Sequence, residues 1–354
     1  LRAGPGDAQD RGMKVLVDIV HPADVLFFRH PLARLMDAGA EVRIASREKD
    51  VACALLDEFG LPHEVASKAG KGTVGLAREL VLRDAAILRM ARRFRPDVMV
   101  GFGGVAIAHV GKLTGIPSVS FYAADTASLQ TRLTWPFITR LYVPEPYAGP
   151  VPEGRTTRFP GVKELSYFHP ENFRGDADVA RANGWVEGEQ NFFLRTVGWG
   201  ANHDLGKSGW SDEDLSALVE MLSARGTVHI STERALPAHL DRHLYHGERS
   251  ALHHVMAHCH LYVGESATMA HEAAFLGVPA IYDGADHPGT TRELAAHGML
   301  TALRQPGIGA LSAAVEDMLG ERRREEVRTA RDAYIADRPN LAGYIADAIR
   351  DAAR

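Results

Sequence analysis

The sequence predicts two tandem doubly wound, Rossmann-like α/β domains. Three observations carry that expectation. Short apolar runs alternate with helical-period stretches twice along the chain. Each series opens on a nearly continuous apolar run of the kind a buried parallel strand requires. Between the two series, residues 144–160 hold five prolines and no clear periodicity, which reads as a boundary. A chain of 354 residues suits two domains of roughly 100–200 residues each.

The first series begins with MKVLVDIV (13–20), followed by the loop His21-Pro22-Ala23 and an amphipathic helix over 24–38, capped at Gly39. A strand over 41–46, a helix over 49–59 and a short strand over 62–66 follow. Next come a long helix (74–94), a strand (97–101), the Gly-rich loop 101–104, a helix to Thr114 and a strand over 117–121. Right-handed crossovers then give a parallel sheet. The second series predicts strands over 191–197, 227–231, 261–264 and 278–282. Its helices span 212–225, 252–259 and 266–276, with others after Thr290, Gly309 and Arg322. A last helix near 341–353 is placed to cross back to the first domain. The expected organisation is a disordered polar leader (1–12), a first domain (13–160), a second domain (161–340) and the terminal helix (341–354), with a cleft between the domains. Ligands in such sheets lie beyond the carboxyl ends of the strands.

Charge and composition narrow the function. Forty Lys+Arg against 45 Asp+Glu leave a net charge of −5, with no broad basic field for nucleic acid. Two cysteines, Cys53 and Cys259, exclude a disulfide framework and fit a reducing, cytoplasmic setting. No apolar run approaches the ~18 residues that span a bilayer. The arginines of the 74–94 helix (Arg78, Arg83, Arg89, Arg92, Arg93) read as a solvated face, with weak association to a membrane surface as the lesser alternative.

The densest chemistry is LYVGESATMAHEAAFLGVPAIY (261–282), a strand, tight turn, helix and strand. Gly264 is read as the turn residue and Ser266 as the helix cap. The N–H groups of Ser266, Ala267, Thr268 and Met269, with the helix dipole behind them, suit a phosphate or diphosphate. Glu272, in the second turn, suits a ribose diol. The alternative is that Ser266 merely caps and Glu272 is an ordinary exposed residue. The polar loop 198–209 supplies Lys207 and His203, and Arg195 ends the preceding strand. Arg195 and Lys207 are candidates to neutralise a leaving diphosphate. In the first domain Gly103 and Gly104 permit close backbone approach to an acceptor. Asp125 follows a strand and serves the acceptor side or an Asx-turn. His254 and His258 stand at i, i+4, but no third ligand is near, so no metal site is expected.

The run from Gly264 to Tyr282 resembles the nucleotide-sugar segment of two-domain GT-B glycosyltransferases. The peptidoglycan N-acetylglucosaminyltransferase and UDP-N-acetylglucosamine 2-epimerases share its pattern, a Glu five residues before Gly-x-Pro, matched by Glu272, Gly277 and Pro279. From Met13 to about Leu300 the chain resembles domain-of-unknown-function family 354, through MKVLVDIVHP, RPDVMVGFG, GIPSVSFYAADT, PGVKELSYF, WGANHDLGKSG, ISTERALP and the 264–282 block. Relatives carry Pro-Pro-His-Val-His-Phe-Phe after the first strand; here residues 22–28 read Pro-Ala-Asp-Val-Leu-Phe-Phe, so both histidines are replaced. The resemblance implies a GT-B-like fold and a metal-independent glycosyltransferase. The resemblance implies a nucleotide-diphosphate sugar, UDP-linked, as donor and co-substrate without a further cofactor. Its acceptor is an unassigned saccharide, lipid-linked or small molecule. Asp24 or His21 stands where a general base is needed, although Asp24 equally suits a helix cap. A nucleotide-sugar 2-epimerase or hydrolase of the same fold, and a non-catalytic nucleotide-sugar-binding protein, are the alternatives.

Overall fold

The computed structural model describes residues 12–48, 51–70, 72–125, 128–198 and 209–354. The expected leader, apart from Gly12, lies outside them. The chain divides into two compact units: residues 1–167 with 339–354, and residues 168–338.

The first unit runs β1 (Lys14–Ile19), α1 (Pro22–Asp37), β2 (Glu41–Glu48), α2 (Ala52–Glu58), β3 (His63–Lys68), α3 (Gly72–Phe94), β4 (Val98–Phe102), α4 (Val105–Thr114), β5 (Ser118–Phe121), α5 (Ser128–Thr134), β6 (Arg140–Pro144), β7 (Thr156–Phe159) and α6 (Leu165–Phe168). Its seven strands form one parallel sheet in the order β3-β2-β1-β4-β5-β6-β7. β1 and β4 are buried along almost their whole length, as an apolar run covered by helices on both faces must be. Phe27 and Phe28 of α1 pack on Phe121 of β5, with ring centroids 5.3 and 6.0 Å apart.

The second unit runs α7 (Ala177–Ala182), β8 (Gln190–Thr196), α8 (Asp212–Ser223), β9 (Gly226–Thr232), α9 (Leu252–Ala257), β10 (Leu261–Gly264), α10 (Ala267–Phe275), β11 (Ala280–Asp283), α11 (Gly289–Ala296), β12 (Thr301–Leu303), α12 (Ile308–Met318) and α13 (Glu321–Ala336). Its parallel sheet has the order β12-β11-β10-β8-β9. The last helix, α14 (Leu341–Ala352), belongs to the first unit and packs on α1 through a face that includes Leu341, Ile345 and Ile349.

Three expectations change. The segment 144–160 is not a bare boundary: it holds β7, which pairs with β6 from Leu141 opposite Thr156 to Pro144 opposite Phe159. The division between units falls after Tyr167 instead of Pro160. β7 is a four-residue edge strand with one buried side chain, too short and too polar to show a period. Arg83, counted among the surface arginines of α3, is buried, while Val74, Val81 and Leu82 of the same helix are exposed. No helix among the described residues is long and apolar enough to cross a membrane.

Candidate functional site

Each sheet has one place where the strand order reverses, and crevices at the carboxyl ends of strands flanking such a point are where ligands settle. In the first unit that point lies between β1 and β4, and in the second between β8 and β10. Among the described residues, His21 and Asp24 follow β1, Gly103 and Gly104 follow β4, Arg195 lies in β8, and Gly264 to Glu272 end β10 and begin the helix after it.

In the second unit Arg195 of β8 stands opposite Gly264 of β10. Gly264 is not a turn glycine, as expected from sequence: it ends β10 without a positive φ. A Cβ there would stand 2.8 Å from Tyr262 Cζ and 2.9 Å from Arg195 Cβ, so close approach demands the glycine. Ser266 caps α10, its Oγ accepting the Met269 N–H at 3.4 Å. Met269 is therefore engaged and not an open donor as expected. The N–H groups of Ala267 and Thr268, in the first turn, have no acceptor within the helix.

Arg195 is less open than the sequence suggested. Arg195 donates to Ser231 Oγ at 2.7 Å and is ion-paired with Glu233, so its charge is already compensated. Its Nε is buried without a partner. Lys207 and His203 lie outside the described residues. Glu272 is not on an exposed face; it is buried, and its Oε2 lies 3.1 Å from His253 Nε2. The residue before the cap, Glu265, was passed over in the sequence. It is buried and accepts the Val197 N–H at 3.1 Å and the Trp210 N–H at 2.8 Å, pinning both ends of the 198–209 loop to the start of α10. Asp283, also buried, accepts from Trp210 Nε1 at 2.9 Å and from the Gln305 N–H at 2.7 Å. An acid immediately beyond a strand end, inside a Gly-x-Ser turn, was the available signal for Glu265.

In the first unit His21 is the N-cap of α1 and Asp24 the reciprocal partner of a capping box. His21 Nδ1 accepts the Ala23 N–H at 3.2 Å, so the neutral ring carries its proton on Nε2. That tautomer is a donor, not a base, at Nε2. Asp24 Oδ2 accepts the N–H groups of Val20 (3.0 Å) and His21 (2.9 Å), and no described residue donates to Oδ1. Burial pushes the Asp24 carboxyl up to about 7, against the lowering effect of those two hydrogen bonds.

Gly103 and Gly104 have φ of 80° and 53°, the left-handed conformation glycine tolerates. A Cβ on Gly103 would collide with Gln130, so the close approach there is to protein. Gly104 lines a cavity of about 270 Å³ with Asp18, Arg47, Glu79 and Arg83. These four side chains form ion pairs Asp18–Arg83 and Arg47–Glu79, joined through Ser67. Asp125 lies in the turn after β5, where its charge, second to burial, helps push the Tyr147 phenol up to about 12.

His254 Nδ1 accepts the Asp176 N–H at 3.0 Å and the His258 ring packs on Trp185 at 4.7 Å. Among the described residues no group of three His, Cys, Asp or Glu is arranged to hold a metal ion.

The two Rossmann-like, parallel-sheet units are those of the GT-B fold. The UDP-GlcNAc 2-epimerase of Neisseria meningitidis, crystallised with UDP-GlcNAc, is similar with a TM-score of 0.60 and 14% identity, over 92% of this chain and 99% of that one. A spinosyn rhamnosyltransferase crystallised with spinosyn aglycone gives 0.63 and 17%, over 94% and 99%. The glycosyltransferase SnogD from Streptomyces nogalater gives 0.61 and 17%, over 97% and 100%. No protein-family model matches the chain, that of family 354 included, and no curated protein matches it.

Proposed function

We propose that the chain is a glycosyltransferase that moves a sugar from a nucleoside-diphosphate donor, UDP-linked, to an acceptor hydroxyl without a metal. The observation that carries this reading is the start of α10: two first-turn N–H groups without intrahelical acceptors, at the switch point of the second sheet. With the positive end of the helix dipole, they suit the donor diphosphate. Lys207 supplies a positive charge, and Arg195 a second one shared with Glu233. His203 belongs to the same loop. Glu272, assigned to a ribose diol in this reading, is buried and held at Oε2 by His253.

The first unit supplies the proton acceptor. Asp24 fits better than His21, because its proton affinity lies near neutrality and its Oδ1 is not used by the helix cap. The acceptor oxygen bonds to the anomeric carbon, the bond from that carbon to the diphosphate oxygen breaks, and the acceptor proton passes to Asp24. The helix N–H groups stabilise the charge left on the diphosphate. This reading assigns Gly104 and Asp125 to the acceptor side, whereas Gly103 is occupied by Gln130.

Calorimetric titration with UDP- and GDP-sugars tests the donor assignment. The wild-type chain binds one of them, and Ala267→Asp, which sets a carboxylate among the helix donors, does not. Absence of binding by the wild type removes the reading. Similarity to 2-epimerases supports a second reading, conversion of the donor alone. Incubation without acceptor separates the two, since rapid consumption of the donor belongs only to the second.

A further inference from the structure

α13 carries five arginines, and three have carboxylate partners: Arg322 with Glu326 (2.8 Å), Arg323 with Asp317 (2.9 Å) and Arg331 with Asp332 (2.7 Å). Arg324 and Arg328 have no hydrogen bond or ion pair with any described residue, and Arg324 Nε is buried without a partner. These two stand at i, i+4 on one helical face, where like charges repel. Both line a cavity of about 350 Å³ that also includes Gln190, His260 and Gly320. Glu325 is the one carboxylate among its lining residues and pairs with neither arginine.

Beside the apolar Met318 and Leu319, two further lining residues offer donors. Gly320 is the N-cap of the 16-residue α13 and no side chain caps it. His260 Nδ1 accepts the Asn191 N–H at 3.2 Å, so the neutral ring holds its proton on Nε2 and donates. Burial, with Arg324 second, holds the His260 ring below its ordinary proton affinity and keeps it in that neutral form. The cavity opens at the amino ends of the strands, since Gln190 starts β8 and His260 precedes β10. The candidate donor residues sit at the carboxyl ends of the same two strands.

We propose that this cavity is an anion site for a phosphate group, free or carried by a small molecule, held by Arg324, Arg328 and His260 and distinct from the donor site proposed at α10. Two adjacent cations without counter-ions among the described residues, one half-buried, leave a positive charge that a dianion neutralises.

The test is scanning and titration calorimetry with inorganic phosphate and with glycerol 3-phosphate. It compares the wild-type chain, Arg324→Gln, Arg328→Gln, the double variant, and a control carrying Arg322→Gln and Arg323→Gln. Both ligands raise the wild-type Tm saturably. The double variant binds at least tenfold more weakly, the single variants fall between, and the control equals wild type. Without ligand the double variant melts at or above the wild-type Tm, because the repulsion between the two charges is gone. Tighter binding of glycerol 3-phosphate identifies an organic monoester as the occupant, and tighter binding of phosphate the free ion. No saturable shift for the wild type with either ligand overturns the proposal. So does undiminished binding by the double variant, or a double variant that melts well below wild type, which makes the arginines structural.

Discussion

His253 Nε2 and Glu272 Oε2 lie 3.1 Å apart with both side chains almost sealed from solvent, tying α9 to α10. Phe168 covers the pair, its ring edge-on to His253 at a centroid distance of 4.9 Å. Removing one member leaves the other polar group buried without that partner, a loss of about 3 kcal/mol. His253→Ala should therefore lower the urea midpoint strongly, while Phe168→Leu, which keeps the pair, lowers it less. Equal midpoints for His253→Ala and wild type would remove the pair from the forces holding α10.

Asp24 gives a pH dependence whose sign can be worked out. Its carboxyl is raised by burial from 3.8 to about 7 in the folded chain. Between those values the folded chain holds a proton that the unfolded chain has lost. Its contribution is therefore complete below about pH 4, falls as the pH rises, and is gone above about pH 7. The slope reaches at most about 1.4 kcal/mol per pH unit. Urea unfolding from pH 4.5 to 8 should show this fall in the wild type, and Asp24→Asn should flatten it.

The same ionisation governs turnover in the proposed transferase. The rate rises with pH through about 7 as Asp24 loses its proton. Asp24→Asn lowers kcat about 10²- to 10⁴-fold. His21→Ala, which removes the cap acceptor of the Ala23 N–H, costs about 1 kcal/mol of stability and leaves the pH profile in place. A pH–rate profile of the three proteins checks both statements.

Ala267→Asp separates donor binding from folding. A carboxylate in the first turn of a helix is favourable to the helix by about 0.3–1 kcal/mol. The variant should melt at or slightly above the wild-type temperature and bind the donor at least tenfold more weakly, by parallel calorimetry of melting and binding.

Gly264→Ala tests close approach against turn formation. A Cβ meets Tyr262 and Arg195 Cβ, an overpacking that costs about 1–3 kcal/mol. Because the Tyr262 hydroxyl is the nearest obstacle, adding Tyr262→Phe should recover part of the loss. If the glycine were needed only for backbone conformation, the second change would recover nothing.

The alternation of apolar runs and helical periods was enough to locate nine of the strands, because a parallel strand buried on both faces writes its burial into consecutive residues; β6, though buried over four of its five residues, escaped it because its short run leads directly into the proline-rich segment read as a boundary. Edge strands β7 and β12 left no such mark, being three or four residues long and half-exposed. The Ser266 cap was also legible, since capping joins neighbours a few positions apart, whereas Asp24, read as the cap of its helix, is its N3 residue and His21 is the cap. What those residues are available to do was decided by partners distant in sequence. Glu233 takes the Arg195 guanidinium from 38 positions away, and Glu265 reaches across 68 and 55 positions to Val197 and Trp210. His253 and Glu272 meet only because α9 and α10 pack together, and Arg324 and Arg328 stand apart from the paired arginines of α13 only once its faces are fixed. Local spacing specifies backbone geometry, whereas charge compensation and burial depend on which elements the fold brings into contact.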